Sequence, residues 1–321
     1  MKRFLYKISL LLLPLILISY PVDIFISNQL KQSHNLSGEY EVLSDLYGGH
    51  ANCDIAIYGS SRAWVHINPQ ILEDSLGVSA YNFGIDGHNF WLSYLRHLDL
   101  LKYNDKPKQI IMSVDIFALQ KRSNLYQMEQ FLPFMLWNGN IRKYTSTYIG
   151  YNILDYFIPL KRYFGQKTIL KECSAIARNK NPFNEFRTKG YAGMNRTWNS
   201  DLEKAQSMQD KFQVHMHQES IELFERFINE CKEDNIDLVL VYTPEYIEGQ
   251  NFIANRNDIL DIFKNFAEEY GLLYLDYSDH EMCLNRDYFY NASHLNKEGA
   301  ELFTRVLAED LLAHTPEIVY K

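Results

Sequence analysis

The sequence lacks most of the features that mark several common functional classes. Cysteine is scarce, with four in 321 residues. Cys53, Cys173, Cys231 and Cys283 form no Cys-x-x-Cys pair, so their spacing encodes neither a zinc framework nor a disulfide scaffold. Two readings stay open for them: buried free thiols, or one or two bridges in an oxidising compartment. An excess of basic charge is also missing. Lys and Arg number 32 against 40 Asp and Glu, a formal net charge of -8. That excludes a global nucleic-acid footprint, which needs clustered excess cations. There is no internal repeat and no low-complexity tract. His215-Met-His217-Gln-Glu219 is the nearest thing to a metal motif. Positions i and i+2 of a helix point apart and no third ligand is evident, so no metal and no cofactor is expected.

What is present is apolar and aromatic. Apolar residues make up 46% of the chain, enough for a full core, and Tyr (23) and Phe (19) are abundant. The start of the chain is the clearest topological signal. Lys2, Arg3 and Lys7 precede the apolar run from Ile8 to Ser19, which continues with polar breaks to Ile26. No small-x-small cleavage site and no lipobox cysteine follows. Residues 1–28 therefore read as an uncleaved membrane anchor, with a cleaved signal as the rival. Either leaves the basic end in the cytoplasm and the bulk of the chain outside it. Residues 29–50 read as a polar stem, and 51–321 as one domain.

Within that domain strands and helices alternate. Strands are expected at 53–58, 79–83, 109–114, 237–242 and 272–275. Helices are expected at 69–76, 90–103, 201–235, 257–270 and 298–313. Alternation of this kind argues for a three-layer α/β architecture, helices on both faces of a central parallel sheet. Residues 120–200 interrupt it as an insertion, mostly helical or irregular. Its many rings are either packing or a sugar-binding wall.

In an open parallel sheet, ligands bind at the carboxyl ends of the strands. Three segments fall there. Gly59-Ser-Ser-Arg62 follows the first strand, Asn82-Phe-Gly-Ile-Asp-Gly87 follows the second, and Asn291-Ala-Ser-His294-Leu-Asn-Lys-Glu-Gly-Ala300 leads into the last helix. A hydroxyl at a strand-to-helix turn lies beside backbone N–H groups, a glycine turn lets another N–H approach, and a histidine on the same rim can take the serine proton. Ser61 could instead be only a helix N-cap, His294 only a structural histidine, and Gly84 and Gly87 only turn residues. Arg62 reads either as an anion-binding group or as one half of a surface salt bridge.

These three segments, in this order, resemble the blocks of the SGNH (GDSL-like) hydrolase superfamily. Gly59-Ser-Ser-Arg62 is similar to its Gly-Asp-Ser-Leu block, Asn82-x-Gly84-x-x-Gly87 to its second block, and Asn291-x-x-His294 to its Asp-x-x-His block. The resemblance implies an SGNH/flavodoxin-like αβα fold. It also implies Ser61 as nucleophile, His294 as base, Asn291 as the residue holding the imidazole, and the N–H groups of Ser61 and Gly87 as oxyanion donors. With the N-terminal segment, the chain looks more like the membrane-tethered branch, which includes proteins of alginate O-acetylation and teichoic-acid D-alanylation. The expected function is an extracytoplasmic ester hydrolase or O-acyltransferase acting on an acylated cell-surface polysaccharide or related polymer. The expected partners are that polymer, the membrane and an integral-membrane acyltransferase. The alternative is a weakened or inert protein of the same fold that binds glycan or scaffolds a polymer-modifying complex. Two departures favour it. Asn291 stands where the family has Asp, and Ser113-Val-Asp-Ile116 stands where the family has Gly-x-Asn-Asp. Asp115 as a carboxylate would repel a developing oxyanion, and Asn89 is the candidate to compensate.

Overall fold

The computed structural model describes residues 2–33, 39–180, 187–207 and 211–314, without the side chains of 2, 3, 5, 8–12, 15 and 16. The chain divides into two compact units. One comprises Met1–Gly48 and Ser123–Glu185, the other Gly49–Arg122 and Phe186–Lys321.

The first unit joins the start of the chain to the insertion. Helix α1 (Lys2–Leu30) contains Pro14 and Pro21. Among the described residues no helix is long and apolar enough to cross a membrane. The expected anchor over 1–28 therefore finds no support in them, and much of its apolar run lies on side chains outside them. The described end of the helix is tied into protein instead. Asp23, fully buried, takes two hydrogen bonds from the Arg162 guanidinium, at 2.7 and 2.6 Å, and Ser27 Oγ lies 2.8 Å from Tyr163 Oη. The range 29–50, expected as a polar stem, holds a helix among its described residues. Helix α2 (Tyr40–Gly48) buries Tyr40, Leu43 and Leu46 at i, i+3, i+6, with Val42 one turn before Leu46, a stripe that a reading by polarity overlooks.

The second unit begins with β1 (Ile55–Gly59), α3 (Ser61–His66), α4 (Pro69–Leu76), β2 (Ala80–Asn82), α5 (Phe90–Tyr103) and β3 (Gln109–Val114). Two helices of the insertion, α6 (Gly139–Thr145) and α7 (Lys167–Ala177), lie in the first unit. The second resumes with α8 (Asp201–Gln206), α9 (Gln218–Glu233), β4 (Asp237–Tyr242), α10 (Ile247–Gln250), α11 (Arg256–Tyr270), β5 (Leu273–Asp276), β6 (Phe289–Asn291), β7 (His294–Leu295) and α12 (Lys297–His314). The single long helix expected over 201–235 is two. Between them the Asn255 side chain holds both backbone groups of Val214, accepting its N–H at 3.0 Å and donating to its carbonyl at 2.9 Å. A continuous helix would need those groups itself.

Five strands pair in parallel in the order β2-β1-β3-β4-β5. Their near-continuous apolar runs reflect cover on both faces. Side chains alternate between the faces with the period of two that a strand imposes. Ile55, Ile57, Ile111, Val239 and Val241 pack with Leu72 and Leu76 of α4 and Phe303, Leu307 and Leu311 of α12. Tyr58 points the other way, onto Phe83 and Phe227, and Phe224 of α9 joins Phe90 of α5 to Phe263 of α11. The three-layer α/β reading holds.

Strand order reverses direction between β1 and β3, and the crevice at such a switch point is where ligands bind. Asn82 braces this corner. Fully buried, it donates Nδ2 to the carbonyls of Ala63 and Ile67, each at 2.8 Å, and accepts the Gly84 N–H at 2.8 Å. The Ile67 carbonyl left over at the end of α3 is thereby satisfied, and the Ala63 carbonyl, which also takes the Ile67 N–H at 3.3 Å, gains a second donor. A Cβ at position 84 would overlap the backbone of Trp64, so only glycine lets the second strand's exit approach α3. Asn82→Ala leaves the Ile67 carbonyl and the Gly84 N–H, both buried, without the partner that Asn82 supplies. It should lower unfolding free energy by about 2–5 kcal/mol, read as a reduced urea midpoint at unchanged m-value.

Candidate active site

Ser60 starts the site. Its side chain accepts the Arg62 N–H at 3.2 Å and donates to Asp115 Oδ2 at 2.5 Å, so it caps α3. The cap role weighed for Ser61 belongs to its neighbour, and Ser61 Oγ is left for other chemistry. It lies 2.8 Å from His294 Nε2, across 233 positions of sequence.

His294 sits on β7, which pairs with β6 so that Asn291 stands directly opposite it. Paired positions on an antiparallel hairpin present their side chains to the same side. Asn291 Oδ1 lies 3.0 Å from His294 Nδ1. The Ser293 backbone N–H donates to that same Oδ1 at 3.1 Å, and only an oxygen can accept it. Asn291 therefore turns its oxygen to the ring, Nδ1 carries the hydrogen, and Nε2 keeps its lone pair toward Ser61. An Asn at this place risks the wrong tautomer. Here the Ser293 amide removes that risk. What Asn291 does not supply is negative charge. Burial first, then the guanidinium charges of Arg62 and Arg196, push the His294 imidazole down to about 3. The Tyr290 ring covers the imidazole face, with centroids 5.4 Å apart and planes 14° from parallel.

Two strands and a helix are locked to the pair from behind. His66 is fully buried, and its Nε2 accepts the backbone N–H of Leu295, next to His294, at 3.0 Å. Its Nδ1 must then carry the hydrogen, which it donates to Thr243 Oγ1 at 2.8 Å. Thr243 Oγ1 also accepts from Nε of Arg62, next to Ser61, at 3.0 Å, and the Thr243 carbonyl accepts from Arg62 Nη2. Arg62 further pairs with Glu245 at 3.2 Å, and its guanidinium lies 4.6 Å from the Tyr242 ring centroid. Both partners of that ion pair are only 5% exposed. The expected surface salt bridge is a buried one, and the segment places Arg62 inward because β4 ends directly beneath α3.

The backbone N–H groups of Ser61 and Gly87 border the same space. Gly87 sits at φ +69°, a left-handed conformation that a side chain would strain. Arg122 Nη1 donates to its carbonyl at 3.0 Å and pins the turn. Among the described residues neither the Ser61 N–H nor the Gly87 N–H has an acceptor. Both residues line one cavity of about 360 Å³ together with His294, Asn89 and Asp115. Asp115 is occupied: Oδ2 takes the Ser60 hydroxyl, and Oδ1 takes the Phe117 N–H at 2.7 Å. Asn89 donates Nδ2 to the Phe117 carbonyl at 2.5 Å, which leaves one N–H of that amide for a ligand.

The structure thus brings together Ser61, His294, Asn291 and Gly87. Sequence reasoning missed Ser60, His66, Thr243, Glu245 and Tyr290. Thr243 and Glu245 were findable, because both stand at the carboxyl end of the fourth strand. His66 carries no local signal. His217, from the suspected metal motif, lies 2.9 Å from Ser220 Oγ and 2.9 Å from Glu219 Oε2. All four cysteines are buried free thiols.

The arrangement is a serine hydroxyl in contact with an imidazole nitrogen at the switch point of an open parallel sheet. No protein-family model and no curated protein matches the sequence. Among solved structures, the chain is similar to a protein assigned to the G-D-S-L lipolytic family from Desulfitobacterium hafniense DCB-2, at 11% identity and TM-score 0.37 over 80% of this chain and 98% of that one. It is similar to an acetyl xylan esterase at 13% identity and TM-score 0.39, over 81% and 99% of the two chains. It is also similar to a protein assigned as an acylhydrolase from Bacteroides fragilis NCTC 9343, at 12% identity and TM-score 0.36, over 80% and 87%. These likenesses are faint, and the chemistry assigned to the site rests on its own atoms.

The altered acid position gives a direct test. A carboxylate in place of the Asn291 amide keeps the Ser293 bond and adds charge beside the imidazolium, so the folded pKa must rise. In Asn291→Asp the His294 ring, followed by NMR, should take up its proton at least one pH unit higher than in the wild type, where it stays neutral through pH 5.

Proposed function

We propose that the protein is a serine-dependent ester hydrolase or O-acyltransferase of the SGNH type. The observation that carries this reading is the Ser61 Oγ–His294 Nε2 contact of 2.8 Å, with the base in the tautomer that can accept a proton. Ser61 Oγ attacks the acyl carbonyl carbon while its proton passes to His294 Nε2. The N–H groups of Ser61 and Gly87 hold the oxyanion. The intermediate collapses as His294 returns the proton to the departing alcohol oxygen. Water or a sugar hydroxyl, deprotonated by the same nitrogen, then releases the acyl group from Ser61. Without a carboxylate behind it the imidazolium is poorly stabilised, and turnover is correspondingly slow.

The substrate class we propose is an acylated cell-surface polysaccharide or related envelope polymer, with an integral-membrane acyltransferase as partner. The support is the order of the three sequence blocks and the basic-then-apolar start of the chain. An extracytoplasmic location rests on that start alone. Protease added to spheroplasts, whose inner membrane is intact, should digest the part from residue 51 onward, on a periplasmic or cell-surface face alike, whereas protection until lysis would place it inside.

A second reading, an inert glycan-binding or scaffolding protein, is favoured by two observations: the neutral Asn291, and a carboxylate, Asp115, in the cavity. One pair of assays separates them. Labelling by a fluorophosphonate probe and hydrolysis of aryl acetates should both fall by about 10³-fold or more in Ser61→Ala. Equal behaviour of the two chains in both assays assigns the cavity to binding alone.

A further inference from the structure

The unit formed by Met1–Gly48 and Ser123–Glu185 leaves an unusual amount of apolar surface uncovered. Among the described residues, most of the large apolar side chains that stay exposed belong to it. Part of this surface is contiguous. Tyr20 of α1 stacks on Trp137 at 5.1 Å between centroids, and Trp137 Nε1 donates to the Phe157 carbonyl at 3.0 Å. Ile158 and Phe164 follow along the chain, and Phe164 is 85% exposed. Packing does not explain these side chains, because the same turns bury Tyr156, Arg162 and Tyr163. A soluble face rarely keeps such a patch.

The charge around it is as selective. Residues 137–180 carry eight Lys and Arg against two Asp and Glu, in a chain whose net charge is -8. Two of the eight are paired, Arg162 with the buried Asp23 and Lys161 with Asp155 at 3.4 Å. Lys161 and Lys167 flank Phe164 and are exposed, and the Arg142 guanidinium lies 5.3 Å from the Phe157 ring centroid. Tyr20 and Trp137, each with one polar end, beside the wholly apolar Phe157 and Phe164 and a fringe of cations, suit a bilayer surface. Rings settle at headgroup level, and basic residues are drawn to anionic lipid. We propose that this Tyr20–Trp137–Phe157–Phe164 face of the insertion docks on an anionic lipid surface. The face explains why the insertion is aromatic, basic and irregular: it is built to lie in an interface, not to line a sugar site.

The test uses the full chain. Phe164→Cys, labelled with nitrobenzoxadiazole, probes the face, since the four native thiols are buried. Leu284→Cys, 70% exposed on the other unit, is the control. With phosphatidylglycerol-containing vesicles the label at 164 should shift to the blue and be quenched by nitroxide on the lipid tails, while the label at 284 does neither. Phe157→Glu combined with Phe164→Glu should weaken vesicle binding at least tenfold. The idea is overturned if the label at 164 does not respond while the chain co-sediments with vesicles, or if both labels respond alike. It is also overturned if the label responds to protein concentration without lipid, which would make the partner a second copy. Ser61→Ala should leave every one of these readings unchanged, so failure here and failure of the ester chemistry are separate results.

Discussion

The site hangs on one buried oxygen. Thr243 Oγ1 accepts hydrogen bonds from Arg62 and from His66, and each of those residues is fixed to one half of the Ser61–His294 pair. Arg62 is the covalent neighbour of Ser61. His66 grips the amide of Leu295, the covalent neighbour of His294. A hydroxyl and an imidazole that meet at 2.8 Å from opposite ends of the chain need such a brace, because neither the α3 turn nor the β6–β7 hairpin is long enough to hold its own position. The price is a dense cluster of buried polar groups: Arg62, His66, Thr243, Glu245 and Tyr242. Each is partnered, as burial demands. The same cluster keeps His66 neutral, through burial first and then the Arg62 charge, which leaves Nε2 a lone pair for the Leu295 amide.

That arrangement also reconciles two facts that pull in opposite directions. The neutral Asn291 removes the charge that would favour an imidazolium. Yet the Ser293 amide holds the Asn291 oxygen toward His294, so orientation survives where electrostatics does not. Orientation and charge are separable contributions of a third residue, and this hairpin keeps the first alone. Ser60 shows a similar division of labour. By taking the helix cap and the Asp115 carboxylate, it frees Ser61 from both.

Much of this was legible in advance where local physics decides. Pro69–Leu76, Phe90–Tyr103, Gln109–Val114 and Asp237–Tyr242 fall where periodicity and capping put them. Two of the errors have nonlocal causes. The helix expected over 201–235 breaks because Asn255, far along the chain, takes the backbone of Val214. Within the expected stem the helix α2 went unread for a local reason, an apolar face between polar flanks. Arg62 looks like a surface charge beside a loop until β4 is placed under it.

By itself the sequence determined the order of strands and helices, the three rim segments, and the candidates Ser61, His294, Asn291 and Gly87. Those follow from spacing, glycine placement and side-chain type, which are properties of a few consecutive residues. Only the tertiary structure decided that Asn291 presents its oxygen, that Ser60 carries the cap, and that Thr243 and His66 tie the two halves together. Each of these depends on which donor stands opposite which acceptor across the sheet. Hydrogen-bond partners separated by some two hundred residues leave no mark on the chain between them.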